Sequence, residues 1–316
     1  MQIFYSTLAQ MGVLFIFIII GFIVAKLKVV PENSGTVLSK LENNVFTPAS
    51  VLGTFIAQFT VEKLSGSWQL VLAGTVVVLI GIPIAILVSR CVSKDSYVRK
   101  IYTYGLAFSN FGFMGNAVVE SVYGDAVYME YLIFVIPFWV AIYAWGVPAL
   151  LMPSAEGHGI KARLKNMANP MLIGVFVGML IGILPFDMPE FITRAISMLG
   201  SCMGPVAMLL TGMAIAKIDL KEGFSRVSVY VISAIRLVAL PLVTLAVIML
   251  LPVSYSIKLC AVCATAMPLG LSTIVIPSAY GLDTKVASGM ALVSHLLSCI
   301  TIPVVFMLFD LLVGVV

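Results

Sequence analysis

Apolar runs of about 20 residues alternate with short polar connectors along the chain. At 1.5 Å rise per residue, that is the length a helix needs to cross a hydrocarbon core about 30 Å thick. Hydropathy predicts ten spans, at 5–27, 36–60, 68–90, 101–123, 128–151, 168–185, 195–216, 226–251, 257–281 and 286–313. The longest polar connector, Pro153 to Asn166, lies mid-chain and divides it into halves, 1–157 and 158–316. Five crossings is an odd number, so a second half built like the first enters the membrane inverted. One offset of 157 residues carries traces of such a duplication: Ser121-Val-Tyr123-Gly124 recurs as Ser278-Ala-Tyr280-Gly281, Pro48 maps onto Pro205, and Gly21 onto Gly178. The expected fold is an all-α membrane protein of two inverted five-helix repeats.

Composition sharpens this by exclusion. Apolar residues make up 61% of the chain and charged residues 10%, where soluble domains carry about 25% charged. With a mean hydropathy of +1.13, there is too little polar surface to cover a water-soluble body. The net charge of +4 is no nucleic-acid footprint, because the basic residues sit in connectors. With the N-terminus outside, thirteen Lys and Arg fall in cytoplasmic connectors and three (Lys63, Arg194, Lys258) in outer ones. The positive-inside rule therefore predicts a multi-pass cell-membrane protein with both termini outside. The first apolar run lacks a basic leader and a small-residue cleavage site, so it reads as a retained helix rather than a signal peptide. Of five cysteines, Cys260 and Cys263 are one helical turn apart, but nothing completes a metal set, and they read as small buried residues. The chain has two histidines and no GxSxG, HExxH or GxxxxGK[ST] pattern, so neither an enzyme nor a self-contained ATP-driven pump is expected, and no cofactor.

Candidate chemistry gathers where helices are expected to break. Inverted-repeat carriers place substrate near the midplane, where interrupted helices expose backbone groups and half-helix dipoles. Span 4 reads Ser109-Asn110-Phe-Gly112-Phe-Met-Gly115-Asn116, with two glycines and two amides at mid-membrane depth. Span 9 reads Met267-Pro268-Leu-Gly270-Leu-Ser272-Thr273, and Pro268 removes a backbone hydrogen bond. Asn110, Gly115, Asn116, Pro268, Ser272 and Thr273 are therefore the substrate-binding candidates; close helix packing is the structural alternative. Intramembrane charge demands a reason. Arg236 in span 8 serves either an anionic substrate, as ligand or counter-ion, or a structural pairing. Glu42, Asn43 and Asn44 in span 2, Glu120 in span 4 and His295 in span 10 are candidates to line the pocket or bind a coupling ion. Each also has a plain reading as a satisfied polar group.

These motifs, in order, resemble a bacterial member of the auxin efflux carrier family, in the wider bile-acid/sodium-symporter-like group. The resemblance spans the whole length and rests on Asn110-Phe-Gly-Phe-Met-Gly115, Asn169-Pro170, Gly204-Pro205 through Gly212, and Pro268 through Tyr280-Gly281-x-Asp283. It implies a scaffold of spans 1, 2, 6 and 7, through which the protein dimerises, and a moving transport domain of spans 3–5 and 8–10. In that domain the crossing of spans 4 and 9 holds a small organic anion, a mono- or dicarboxylate such as malate, malonate or lactate. The implied function is an elevator-like secondary carrier, with proton, sodium or no coupling left open. An uncoupled anion channel or uniporter, or a metabolite-binding sensor, are the alternatives. One departure stands out. The family usually carries a proline after the span 4 glycine turn, whereas this chain has Gly115-Asn116-Ala117. Span 4 is thus expected to break less sharply than span 9, with Asn116 offering a polar group there.

Overall fold

The computed structural model describes residues 2–152, 170–184, 188–217 and 226–313. The mid-chain boundary and Asn169 lie outside them. Among the described residues every regular element is helical, and the one extended pairing is an isolated antiparallel bridge between Ser109 and Leu269. In chain order the α-helices are α1 (Gln2–Lys26), α2 (Ser34–Leu41), α3 (Thr47–Gln58), α4 (Val61–Val92), α5 (Ser96–Ala107), α6 (Asn116–Phe134) and α7 (Ile136–Ala141). The second half supplies α8 (Pro170–Ile183), α9 (Glu190–Ser201), α10 (Met203–Ala216), α11 (Val227–Ala234), α12 (Leu240–Leu250), α13 (Tyr255–Ala266), α14 (Ser272–Ala279) and α15 (Lys285–Val313).

Six helical runs among the described residues are long and apolar enough to cross a membrane, and α8 and α13 are shorter apolar helices. Their outward faces carry large apolar side chains such as Leu79, Leu87, Phe176, Leu180 and Ile300. That suits a chain whose solvent is lipid. Several helices start on side-chain caps at the polar margins. Asp95 accepts from the backbone N–H groups of Tyr97 and Val98 at the head of α5, and Ser254 from that of Ile257 at the head of α13.

Prolines shape the helix interiors. Pro48 and Pro241 each lack an N–H and crowd the carbonyl four residues back. In both cases a π-helical turn lies just upstream, Glu42–Phe46 joining α2 to α3 and Ile235–Ala239 joining α11 to α12. The wider turn absorbs the proline without ending the helix.

Close packing runs through glycine. A side chain on Gly21 of α1 would strike the backbone of Leu209 in α10, and one on Gly178 of α8 would meet Phe55 and the backbone of Leu52 in α3. These pairs map onto each other under the 157-residue offset, 21 to 178 and 52 to 209. Gly124 and Gly281, also related by that offset, are the two positive-φ glycines among the described residues, at φ 78° and 66°. Each turns the chain at the end of a broken-helix pair, where an L side chain would be strained.

Candidate site at the crossing of two broken helices

The two glycine-rich segments meet. α5 ends at Ala107, residues 108–110 are non-helical, and a π-helical turn over Phe111–Gly115 leads into α6. α13 ends at Ala266, and residues 267–271 separate it from α14. Without its proline, span 4 breaks over the shorter stretch, as the sequence leads one to expect. The Asn110 N–H donates to Pro268 O at 2.8 Å, and the Ser109 hydroxyl donates to Ala264 O at 2.7 Å. Gly270 lies against the carbonyls of Phe108 and Ser109. The backbone groups freed by the breaks thus satisfy one another across the crossing, as a low-dielectric interior requires.

Arg236 sits behind this crossing, 3% exposed. Its Nε donates to Met267 O at 3.1 Å, one terminal nitrogen to Leu106 O at 3.0 Å, and the other to Ala264 O at 3.1 Å. These carbonyls belong to the C-terminal ends of α5 and α13, where helix dipoles concentrate negative charge. The guanidinium fork therefore clamps the first halves of both broken helices. A direct substrate contact would have to come from its remaining N–H groups. An apolar cavity of about 560 Å³, lined by residues such as Leu72, Val76 and Val243, also reaches Arg236; its walls suit acyl chains rather than an anion.

His295 is fully buried. Its Nδ1 donates to Ala291 O at 2.7 Å, which leaves Nε2 to accept from the Asn110 amide at 3.0 Å. Because a carbonyl can only accept, this pairing fits the neutral Nδ1–H tautomer, assigned from the network. Thr273 is 1% exposed and returns its hydroxyl to Gly270 O, while Ser272 opens α14 beside the Tyr104 hydroxyl. Gly115 has no room for a side chain, because the Tyr131 hydroxyl and Met267 fill that space.

Asn116 differs from all of these. It is 1% exposed at the first residue of α6, and neither its amide nitrogen nor its oxygen has a hydrogen-bond partner. Glu120 lies one turn further along the same face and lines a cavity of about 610 Å³, shared with Ser50, Thr54, Asp125, Arg194 and Ser197. From α2 and the π-turn after it, Glu42 is buried and accepts from the Thr47 hydroxyl at 3.0 Å. Asn43 and Asn44 are exposed and bond back to Ser39 and Lys40, so their amides are largely spent locally. Asn43, with Thr47, Gly112 and Trp139, lines a third, smaller cavity of about 80 Å³ at the other end of the α2–α3 run.

The structure thus brings Asn110, Gly115, Pro268, Thr273, Arg236 and His295 together at the crossing and sets Glu42, Asn43 and Glu120 along the flanking seam, while Asn44, expected to line the pocket, is exposed and bonded to Lys40 O instead. Sequence reasoning missed Ser109, Ser294 (which accepts from the Leu269 N–H at 3.2 Å), Ser50 and Tyr128. Ser109 adjoins Asn110 and was findable; Tyr128 looks like any membrane tyrosine. Comparison with curated proteins gives no match. The description of the membrane transport protein family matches residues 7–306, almost the whole chain including both broken helices, and the chain belongs to this family, that of the auxin efflux carriers.

Proposed function

We propose that this membrane transport protein is a secondary carrier of a small organic anion, a mono- or dicarboxylate, held beside the crossing of the two broken helices. The single observation that carries the reading is Asn116, a buried amide with both polar atoms unpartnered at the start of a half-helix. A buried amide left without hydrogen bonds costs roughly 1–3 kcal/mol, so its persistence here suits a group that completes its bonds on a ligand. The N-terminal starts of the second half-helices, at Asn116 and Ser272, favour negative charge there. Arg236 contributes a fixed positive charge behind the crossing while its hydrogen bonds hold the helix ends.

In this reading the chain crosses the cell membrane ten times, as two inverted halves with both termini outside. The reciprocal Gly21–Leu209 and Gly178–Leu52 contacts and the paired turns at Gly124 and Gly281 support the inversion. The helices from residue 61 to 151 and from 227 to 313 move as one body past a scaffold of α1–α3 and α8–α10, and pairs of molecules join through that scaffold. The 610 Å³ cavity along Glu120, between α3, α6 and α9, is then the outward vestibule.

Asn116→Ala tests the reading. Purified protein is titrated with malonate, malate and lactate by thermal shift, and uptake of each is measured in proteoliposomes. Wild type is stabilised by at least one of them and transports it, whereas Asn116→Ala folds but loses both responses. A variant that transports at the wild-type rate refutes the role of Asn116, and a wild type that neither binds nor moves any of the three refutes the substrate class.

A further inference from the structure

An anion entering the 610 Å³ cavity meets three carboxyls, Glu120, Asp125 and Glu190, with Arg194 the one cation among the lining residues. A further carboxyl, Glu42, is fully buried within the π-turn. One of its oxygens accepts from Thr47 and the other, Oε2, has no partner. No described cation neighbours it. α8 and α10, which pack against this turn, contain no ionisable side chain, and the charges of α9, Glu190 and Arg194, line the vestibule instead. Lys40, two residues before it, is exposed. From the other domain, the groups within electrostatic reach of the seam are Tyr128, Glu120 and Asp125. An ionised carboxylate at Glu42 would be uncompensated in low dielectric, a state proteins avoid by keeping the group neutral.

The surroundings are shaped like an interrupted proton path. Thr47, the donor to Glu42, lines the small cavity at the cytoplasmic end. Ser50, one turn along the same face, lines the vestibule at the other. Between them the Tyr128 hydroxyl lies beside the Ser50 hydroxyl, at the margin of hydrogen-bond geometry, and within electrostatic range of Glu42, whose Oε2 has no hydrogen-bond partner. These polar groups mark a seam whose hydrogen bonding is incomplete at Glu42 Oε2 and which a modest shift between the domains would reconnect. Glu42, Thr47 and Ser50 belong to the scaffold side and Tyr128 and Glu120 to the moving side, so the shift that carries substrate also makes and breaks this contact.

We propose that Glu42 binds the proton that accompanies the substrate anion, holding it in the conformation described here and exchanging it with water when the moving domain opens a cavity onto the seam. The proton passes from water to Glu42 Oε2 and back, with no other bond made or broken. This inference rests on the carrier reading above, and it makes net transport electrically lighter by one charge per anion.

The test has two arms. In infrared spectra of the purified protein at neutral pH, wild type shows the carbonyl stretch of a protonated carboxylic acid that Glu42→Gln lacks and Glu120→Gln retains. In proteoliposomes with the membrane potential clamped at zero, one coupled proton makes each unit of pH difference worth about tenfold in malonate or malate accumulation. Glu42→Gln loses that gradient-driven accumulation while keeping exchange of internal for external malonate. No band assignable to Glu42 overturns the proposal, as does malonate accumulation indifferent to the pH gradient in wild type. If the wild type moves none of the carboxylates tried, the substrate class proposed above has failed, and the infrared arm still decides the state of Glu42. Thr47→Val, which removes the one donor to Glu42, guards against a folding artefact: it keeps the band and shifts its frequency.

Discussion

Replacing Arg236 by methionine keeps most of the side-chain volume and removes the fork. In the structure its loss strands two carbonyls, Leu106 O at the end of α5 and Met267 O beyond α13, while Ala264 O keeps the Ser109 hydroxyl. A buried carbonyl deprived of its donor costs about 1–3 kcal/mol, so the two together cost about 2–6 kcal/mol. Removing a buried charge that lacks a carboxylate partner returns part of that. A net destabilisation of a few kcal/mol remains, because three helix-end carbonyls then converge with no positive charge between them. A pure ligand role would allow truncation of Arg236 without harm to folding; the three carbonyl bonds oppose that. Thermal unfolding in detergent should show Arg236→Met melting well below wild type. Arg236→Lys should fall between, since an ammonium keeps the charge but cannot span all three carbonyls. If both variants melt like wild type and lose only malonate or malate binding, Arg236 is a ligand and the clamp is refuted.

Other expectations follow from single positions. Gly124→Ala and Gly281→Ala each place a Cβ in open space but at φ 78° and 66°, so each should destabilise by about 1–3 kcal/mol through backbone strain alone. Parallel melts of the two would check this, and equal losses would agree with their equivalent positions. Gly212→Val should be far worse, because its side chain meets the backbone of Ile18 and Phe22 where α10 crosses α1; the yield of monodisperse protein measures it. Asn116→Ala should melt at or above the wild-type temperature, since it removes an unpartnered buried amide, and a clear loss of stability would show that Asn116 serves the fold instead.

The sequence by itself determined the all-helical membrane class and where the two glycine-rich segments break, though not every helix boundary: α6, kinked at Gly124, runs through the gap expected between spans 4 and 5. Those properties are local: run length and polarity set the spans, and Pro268 and the glycines around Asn110 set the breaks, whatever the neighbours do. The 157-residue offset between Gly124 and Gly281 was likewise readable, because a positive-φ turn leaves a glycine at both positions. What the sequence could not assign was the use of each polar group. Asn110 and Asn116 lie in one segment and look alike on the page, yet one amide is bonded to His295 from another span and the other is bonded to nothing. Arg236 read as a charge in search of an anion until the fold brought three carbonyls from two distant helix ends to it. Glu42 read as one of a polar trio, and the π-turn before Pro48 separated it from Asn43 and Asn44 by turning it inward. Hydrogen-bond satisfaction is a property of pairs far apart in the chain, so only the tertiary structure decides which buried polar groups are spent on the fold and which are left without a partner.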